Sequence, residues 1–142
     1  MAVWKRPSLA TKFHIDYDWW SAQGKDVRVA VRSQLCQDCQ TRFPDHRDTE
    51  AVDWVDPDTA EVVRADALIQ CLRGECSQKP DFIGRGNSLV TNIFRILLLN
   101  GNLPLTPAGL HGQLPWAEPS AILRTLASGP VYMGLRPTTK AD

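Results

Sequence analysis

The chain has 142 residues, and its 16 basic and 16 acidic side chains cancel to no net charge at neutral pH. This length suits one compact domain or two small ones, and a hydrophobic share of 43% excludes a disordered chain. The most apolar stretch, residues 93–99, contains Arg95 and is much shorter than the about 20 residues of a membrane span. Because no apolar run follows Met1 either, we expect a soluble, cytoplasmic protein with no membrane partner.

Charge is unevenly distributed along the sequence. Residues 1–40 carry a net charge of +2, residues 41–80 carry −4 and residues 81–142 carry +2. An acidic middle between weakly basic flanks indicates separate modules. The neutral total argues against a general nucleic-acid coat, which would be visibly basic.

The N-terminal residues 1–12 mix proline, serine and charged side chains, and we interpret them as a flexible arm. Aromatic side chains crowd the segment from Phe13 to Trp20, which predicts an anchor of the core. Asp16 is a candidate N-cap for a helix that begins at Tyr17.

The middle of the chain predicts a hairpin between helical segments. Residues 25–35 fit both an alternating strand and an amphipathic helix, and the unbroken run up to Leu35 favours the helix. Residues 52–64 predict a β-hairpin with Pro57 in its turn. A short helix then follows and ends near Gly74.

The four cysteines form two close pairs, Cys36-x2-Cys39 and Cys71-x4-Cys76, separated by 31 residues. Two such pairs on either side of a hairpin are typical of structural zinc sites. Tetrahedral zinc takes four ligands, and four thiolates leave no position for a catalytic water. The sequence therefore predicts one structural zinc ion bound by Cys36, Cys39, Cys71 and Cys76.

Other uses of these cysteines stay open. They are compatible with four buried thiols without a metal, with a disulfide or redox pair, and with an iron–sulfur cluster. His46 lies between the two pairs and is an alternative to one of the cysteine ligands.

The last third of the chain predicts three helices and a strand. The helices cover about 88–99, 106–114 and 119–129, and residues 131–135 alternate like a strand. Prolines stand at the first position of the second and third helices, where the missing N–H costs nothing.

This order of elements over residues 87–135 resembles the winged-helix family of helix-turn-helix modules. The resemblance is carried by residues 103–107 before the second helix, by Pro119 at the start of the third, and by residues 132–136 after it. It implies that the third helix enters the major groove of DNA and that the following segment lies against the backbone. The residues it implies as nucleic-acid contacts are Ser120, Arg124, Thr125, Arg136 and Lys140.

The first helix of this module is apolar almost all round. A helix that is apolar on two sides is normally buried on two sides, so Leu89, Ile96 and Leu99 form a candidate interaction surface for the other half of the chain or a partner subunit. No phosphate loop, nucleophile elbow or zinc-protease motif is present. We therefore expect no enzyme and no small-molecule substrate.

Together these patterns predict an α+β protein in which a zinc-stabilised module with a β-hairpin packs on a winged-helix-like three-helix bundle. The expected parts are a flexible arm over 1–12, the aromatic helix, hairpin and four-cysteine zinc module over 13–83, the winged-helix-like module over 84–137, and a tail over 138–142. The expected function is that of a small zinc-containing, transcription-associated DNA-binding module. The alternative is an accessory or adaptor subunit that binds a protein partner or dimerises without catalysis.

Overall fold

The computed structural model describes residues 6–44, 51–55, 62–128 and 130–138, and its contacts divide the chain into two compact units. The terminal unit consists of Met1–Lys25 and Ile83–Asp142, and the inserted unit consists of Asp26–Phe82. Each unit contains helices and a pair of short antiparallel strands, so the predicted α+β class is confirmed. No helix in the described part of the chain is long and apolar enough to span a membrane.

In chain order the elements are β1 (Phe13–Ile15), α1 (Tyr17–Ala22), α2 (Val27–Ser33), α3 (Gln37–Arg42), β2 (Ala51–Val55), β3 (Val62–Asp66), α4 (Ala67–Gly74), a 3₁₀ helix (Cys76–Gln78), α5 (Leu89–Leu99), α6 (Pro107–Gln113), α7 (Pro119–Ala127) and β4 (Leu135–Pro137).

The division into units differs from the predicted modules at the N-terminal side. The predicted zinc module covers residues 13–83, whereas β1 and α1 belong to the terminal unit together with the C-terminal helices. The physical reason is a long-range strand pairing that leaves no local signal in the sequence. The inserted unit ends at Phe82.

The helix starts follow from capping residues that the sequence displays. Asp16 accepts hydrogen bonds from the backbone N–H groups of the first turn of α1, and the hydroxyl groups of Ser88 and Thr106 cap α5 and α6 in the same way. Pro107 and Pro119 occupy the first turn of their helices. These predicted starts are confirmed.

The ambiguous segment 25–35 contains the helix α2, whose N-cap is Asp26. The predicted hairpin is also confirmed, since β2 and β3 pair antiparallel from Ala51 opposite Asp66 to Val55 opposite Val62. Its turn with Pro57, the ligand alternative His46, and Gly129 at the predicted end of the third helix lie outside the described residues.

The strand β1 is the centre of the terminal unit. On one edge it pairs antiparallel with β4, from Phe13 opposite Pro137 to Ile15 opposite Leu135. On the other edge Phe13 exchanges backbone hydrogen bonds of 2.8 and 3.0 Å with Leu105. The predicted strand over 131–135 is wrong in its position, because Met133 and Gly134 have φ angles of 54° and 71° that form a turn before β4.

The side-chain amide of Asn102 completes the backbone pairing of β1. Its oxygen accepts from the N–H of Ile15 at 2.8 Å, and its nitrogen donates to the carbonyl of Ile15 at 2.9 Å. Apolar residues of α5, α6, α7 and β4 are also buried, and α5 and β4 contact this strand. Among the buried residues are Ile93, Phe94, Ile96, Leu97, Leu110, Leu114, Ile122 and Leu135.

The N-terminal segment is locked to the turn before β4 by Trp20 and Gly134. The indole N–H of Trp20 donates to the carbonyl of Met133 at 3.2 Å, and the N–H of Asp16 donates to the carbonyl of Gly134 at 2.7 Å. A Cβ atom at position 134 would lie only 2.5 Å from Nε1 of Trp20. Glycine is therefore required here by both the close approach and the positive φ.

We predict that Gly134→Ala destabilises the protein by about 2–5 kcal/mol, because it combines backbone strain with a clash against a buried ring. Urea unfolding monitored by tryptophan fluorescence measures this loss. The control is Gly112→Ala in α6, where a Cβ atom meets nothing within 4 Å, and where alanine should leave stability unchanged or raise it by up to about 1 kcal/mol. Equal stabilities of the two variants would contradict the prediction.

Candidate metal centre and nucleic-acid interface

The inserted unit brings its cysteines together by packing α2 and α3 against α4. The corner between α2 and α3 is fixed by Arg32, whose guanidinium donates to the carbonyls of Phe43 at 2.6 Å and Gln40 at 3.2 Å. The side chain of Gln40 in turn donates to the carbonyl of Leu35 at 3.0 Å. These bonds hold the turn that carries the first cysteine pair.

The four predicted ligands meet in this unit. Cys36 precedes α3, Cys39 lies on α3, Cys71 lies on α4, and Cys76 begins the 3₁₀ helix. The sulfur atoms of Cys36, Cys39 and Cys76 all lie within 4.8 Å of one another, which is close enough to hold a metal ion. Cys39 and Cys76 are fully buried. The cysteine cluster, as we call these four residues, is therefore part of the core of the unit.

Cys39 and Cys71 differ from the predicted set of four equivalent ligands. Their sulfur atoms lie at disulfide distance, while Cys36 and Cys76 keep free thiols. The two Cα atoms are 6.2 Å apart across the contact of α3 with α4. Cys39 thus belongs both to the disulfide pair with Cys71 and to the three-sulfur group with Cys36 and Cys76.

Backbone dipoles act on the thiols of the cluster. The N–H of Cys36 donates to the sulfur of Cys76 at 3.0 Å. A hydrogen bond from the backbone of Cys39 lowers the pKa of the Cys36 thiol, whereas burial raises the pKa of Cys76 to about 11. The exposed side of the cluster therefore favours the thiolate, and the buried side favours the neutral thiol.

Next to the cluster lies an ion pair that was not predicted from the sequence. The guanidinium of Arg42 makes hydrogen bonds of 2.9 and 3.2 Å to the two carboxylate oxygens of Glu75. The same guanidinium lies 3.5 Å from the sulfur of Cys71, and Glu75 lies 3.6 Å from the sulfur of Cys39. Cys39, Cys71 and Glu75 form a second group with metal-ligand spacing. The available signal was the spacing of three between Cys39 and Arg42, which puts both on one side of a helix.

Four of the predicted nucleic-acid contacts form an exposed pair and a pair whose side chains are bonded within the protein. Ser120 and Arg124 are exposed four residues apart on α7, whose Ile122 is buried. In contrast, the hydroxyl of Thr125 donates to the carbonyl of Ala121 at 3.0 Å. Arg136 forms an ion pair of 3.2 Å with Asp16.

The fifth predicted contact, Lys140, lies outside the described residues. Of the three residues of the predicted interaction surface on α5, Ile96 is buried, with 1% of it exposed. Leu89 and Leu99, at the two ends of α5, are half-buried.

The two units carry opposite net charges. The terminal unit has nine basic and four acidic residues, hence +5, and the inserted unit has seven basic and twelve acidic residues, hence −5. The charges of residues 1–40, 41–80 and 81–142 do not show this contrast. The four basic residues of Met1–Lys25 join the C-terminal part only in the fold. Comparisons with protein-family models, curated proteins and solved structures found no match to this chain.

Proposed function

We propose that the chain is a zinc-containing DNA-binding protein, in which the terminal unit contacts DNA and the inserted unit holds one structural zinc ion. The observation that carries the DNA proposal is the net charge of +5 on the unit that contains α6 and α7. Phosphate neutralisation by basic side chains supplies a large part of the affinity of proteins for DNA. The charge therefore favours the terminal unit as the DNA-binding part.

The arrangement of α6 and α7 supports the same proposal. The two helices contact each other across the short connection from Leu114 to Glu118, and α7 also contacts α5 and β4. This is the order of a helix-turn-helix module, whose second helix presents its N-terminal residues to base edges. In this reading α7 is the recognition helix, with Ser120 and Arg124 directed to the nucleic acid.

We narrow the set of residues that the proposal assigns to DNA contacts. We keep Ser120 and Arg124, whose side chains are exposed. Thr125 is left out because its hydroxyl already bonds to the helix backbone. Arg136 supports the turn before β4 through Asp16, so we assign it a positioning role.

We predict that Arg124→Ala weakens DNA binding by about 1–3 kcal/mol, or roughly 5- to 150-fold, and lowers the salt slope by about one. Fluorescence anisotropy with labelled duplexes from a randomised pool, titrated at several salt concentrations, measures both quantities. Arg124→Lys tests the type of contact, since lysine keeps a phosphate contact but loses bidentate recognition of guanine.

The matched control for Arg124→Ala is Lys79→Ala, which removes the same charge from an exposed position of the inserted unit. This control should leave DNA affinity unchanged. Affinity that does not depend on salt, or that falls equally in both variants, would contradict the DNA proposal. A nuclease-resistant protein complex from the native cell, together with no DNA binding, would favour the adaptor alternative.

The zinc proposal rests on the donor set of the cysteine cluster. Zinc binds thiolates at about 2.3 Å in a tetrahedral arrangement, and three of the four sulfurs already lie within 4.8 Å of one another. Cys71 becomes the fourth ligand when its sulfur is reduced and separates from Cys39. The N–H of Cys36 and the guanidinium of Arg42 are oriented to support thiolate sulfurs.

Zinc in this position links the helices α3 and α4 and the 3₁₀ helix to a single point. Its role is structural, because four thiolates close the coordination sphere. The residues Cys36, Cys39, Cys71 and Cys76 hold the ion, and Arg42 with Glu75 covers one side of it. The inserted unit should therefore depend on the metal for its stability.

We predict about one equivalent of zinc per chain in protein purified under reducing conditions, and a clear loss of zinc and of thermal stability in Cys71→Ser. Elemental analysis and thermal unfolding measure these quantities. The control is Glu75→Gln, which removes the carboxylate of the second ligand group and should retain the metal. Loss of zinc in Glu75→Gln with retention in Cys71→Ser would assign the fourth ligand to Glu75 instead.

A further inference from the structure

We infer that Cys39 and Cys71 form an oxidation site within the cysteine cluster, and that their disulfide releases the metal ion. This inference rests on the zinc part of the proposed function. Its basis is the double membership of Cys39, whose sulfur belongs to the three-sulfur group with Cys36 and Cys76 and also pairs with Cys71. The sulfur of Cys39 cannot bind zinc as a thiolate and form a disulfide with Cys71 at the same time.

The backbone spacing of Cys39 and Cys71 suits a disulfide. The Cα atoms of Cys39 and Cys71 lie 6.2 Å apart, within the range of about 4.4–6.8 Å that disulfides span. Both cysteines are on helices that contact each other, α3 and α4. The helices therefore already hold Cys39 and Cys71 at the spacing that a disulfide requires.

Of the two sulfurs of this pair, Cys71 is the one that an oxidant reaches first, because 7% of this residue is exposed. It lies 3.5 Å from the guanidinium of Arg42, and the ion pair of Arg42 with Glu75 is about half exposed, at 53% and 43%. Cys39, in contrast, has no exposed surface.

The oxidant is a peroxide, which accepts two electrons. The Cys71 thiolate attacks one peroxide oxygen, the O–O bond breaks, and a hydroxide leaves to give a sulfenic acid. The Cys39 thiolate then attacks the sulfenic sulfur, the S–S bond forms, and a second hydroxide leaves. Protons from solvent convert both hydroxides to water. Zinc keeps only the thiolates of Cys36 and Cys76, which take up protons as the ion departs.

The test uses the full chain, reduced, loaded with zinc and freed of excess metal. After addition of hydrogen peroxide, a chromogenic chelator measures released zinc, and a thiol reagent counts free cysteines. We expect release of about one equivalent of zinc and a fall from the four thiols of the sequence to about two. Dithiothreitol with added zinc should restore both values.

Trypsin separates the candidate pairs after the remaining thiols are alkylated. Cys36 and Cys39 fall in the peptide 33–42, Cys71 in 65–73 and Cys76 in 74–85. We expect a disulfide between 33–42 and 65–73, with Cys36 and Cys76 alkylated. Fragmentation of the linked peptide assigns the bond to Cys39.

Two serine variants sharpen the result. The peptide link should still form in Cys36→Ser and should be absent in Cys71→Ser. Should either variant fail to fold, the peptide map of the unaltered chain decides alone. A disulfide of Cys36 with Cys76 or Cys39 as the main product, or four free thiols with zinc retained, overturns this inference. Reduced protein that never binds metal overturns the zinc proposal itself.

Discussion

The terminal unit depends on β1, a strand of three residues that is paired on both edges. Its neighbours are β4 near the C-terminus and Leu105 before α6, and Asn102 satisfies the backbone of Ile15. Unpaired backbone groups in a buried strand would be costly, and these bonds pair β1 on both edges, while α5 also contacts it. The junction of Trp20 with Gly134 then fixes the turn that precedes β4.

The inserted unit is constrained by its small size. At 57 residues it is near the size at which a hydrophobic core alone gives marginal stability. The cysteine cluster occupies part of that core, and α3 and α4 each contribute one of its cysteines. A bond between these helices, whether through a metal ion or a disulfide, supplies the link that apolar packing provides in a larger domain.

The pairing of β1 also decides how charge is distributed. By joining the N-terminal segment to the C-terminal helices, it collects nine basic residues in one unit and leaves an acidic insert. A neutral chain can in this way offer a basic surface to nucleic acid while its net charge stays zero. Both proposals, DNA binding by α7 and metal binding by the cluster, then belong to separate parts of the chain.

The sequence by itself determined the starts of α1, α5, α6 and α7 and indicated which cysteines would lie together. Caps such as Asp16 and Ser88 act within one turn of their own position, so their pattern is local and readable. Only the tertiary structure decided the partner of β1 and the pairing of Cys39 with Cys71. Each of these depends on residues far away along the chain, and composition and periodicity do not specify which distant segments will pack together.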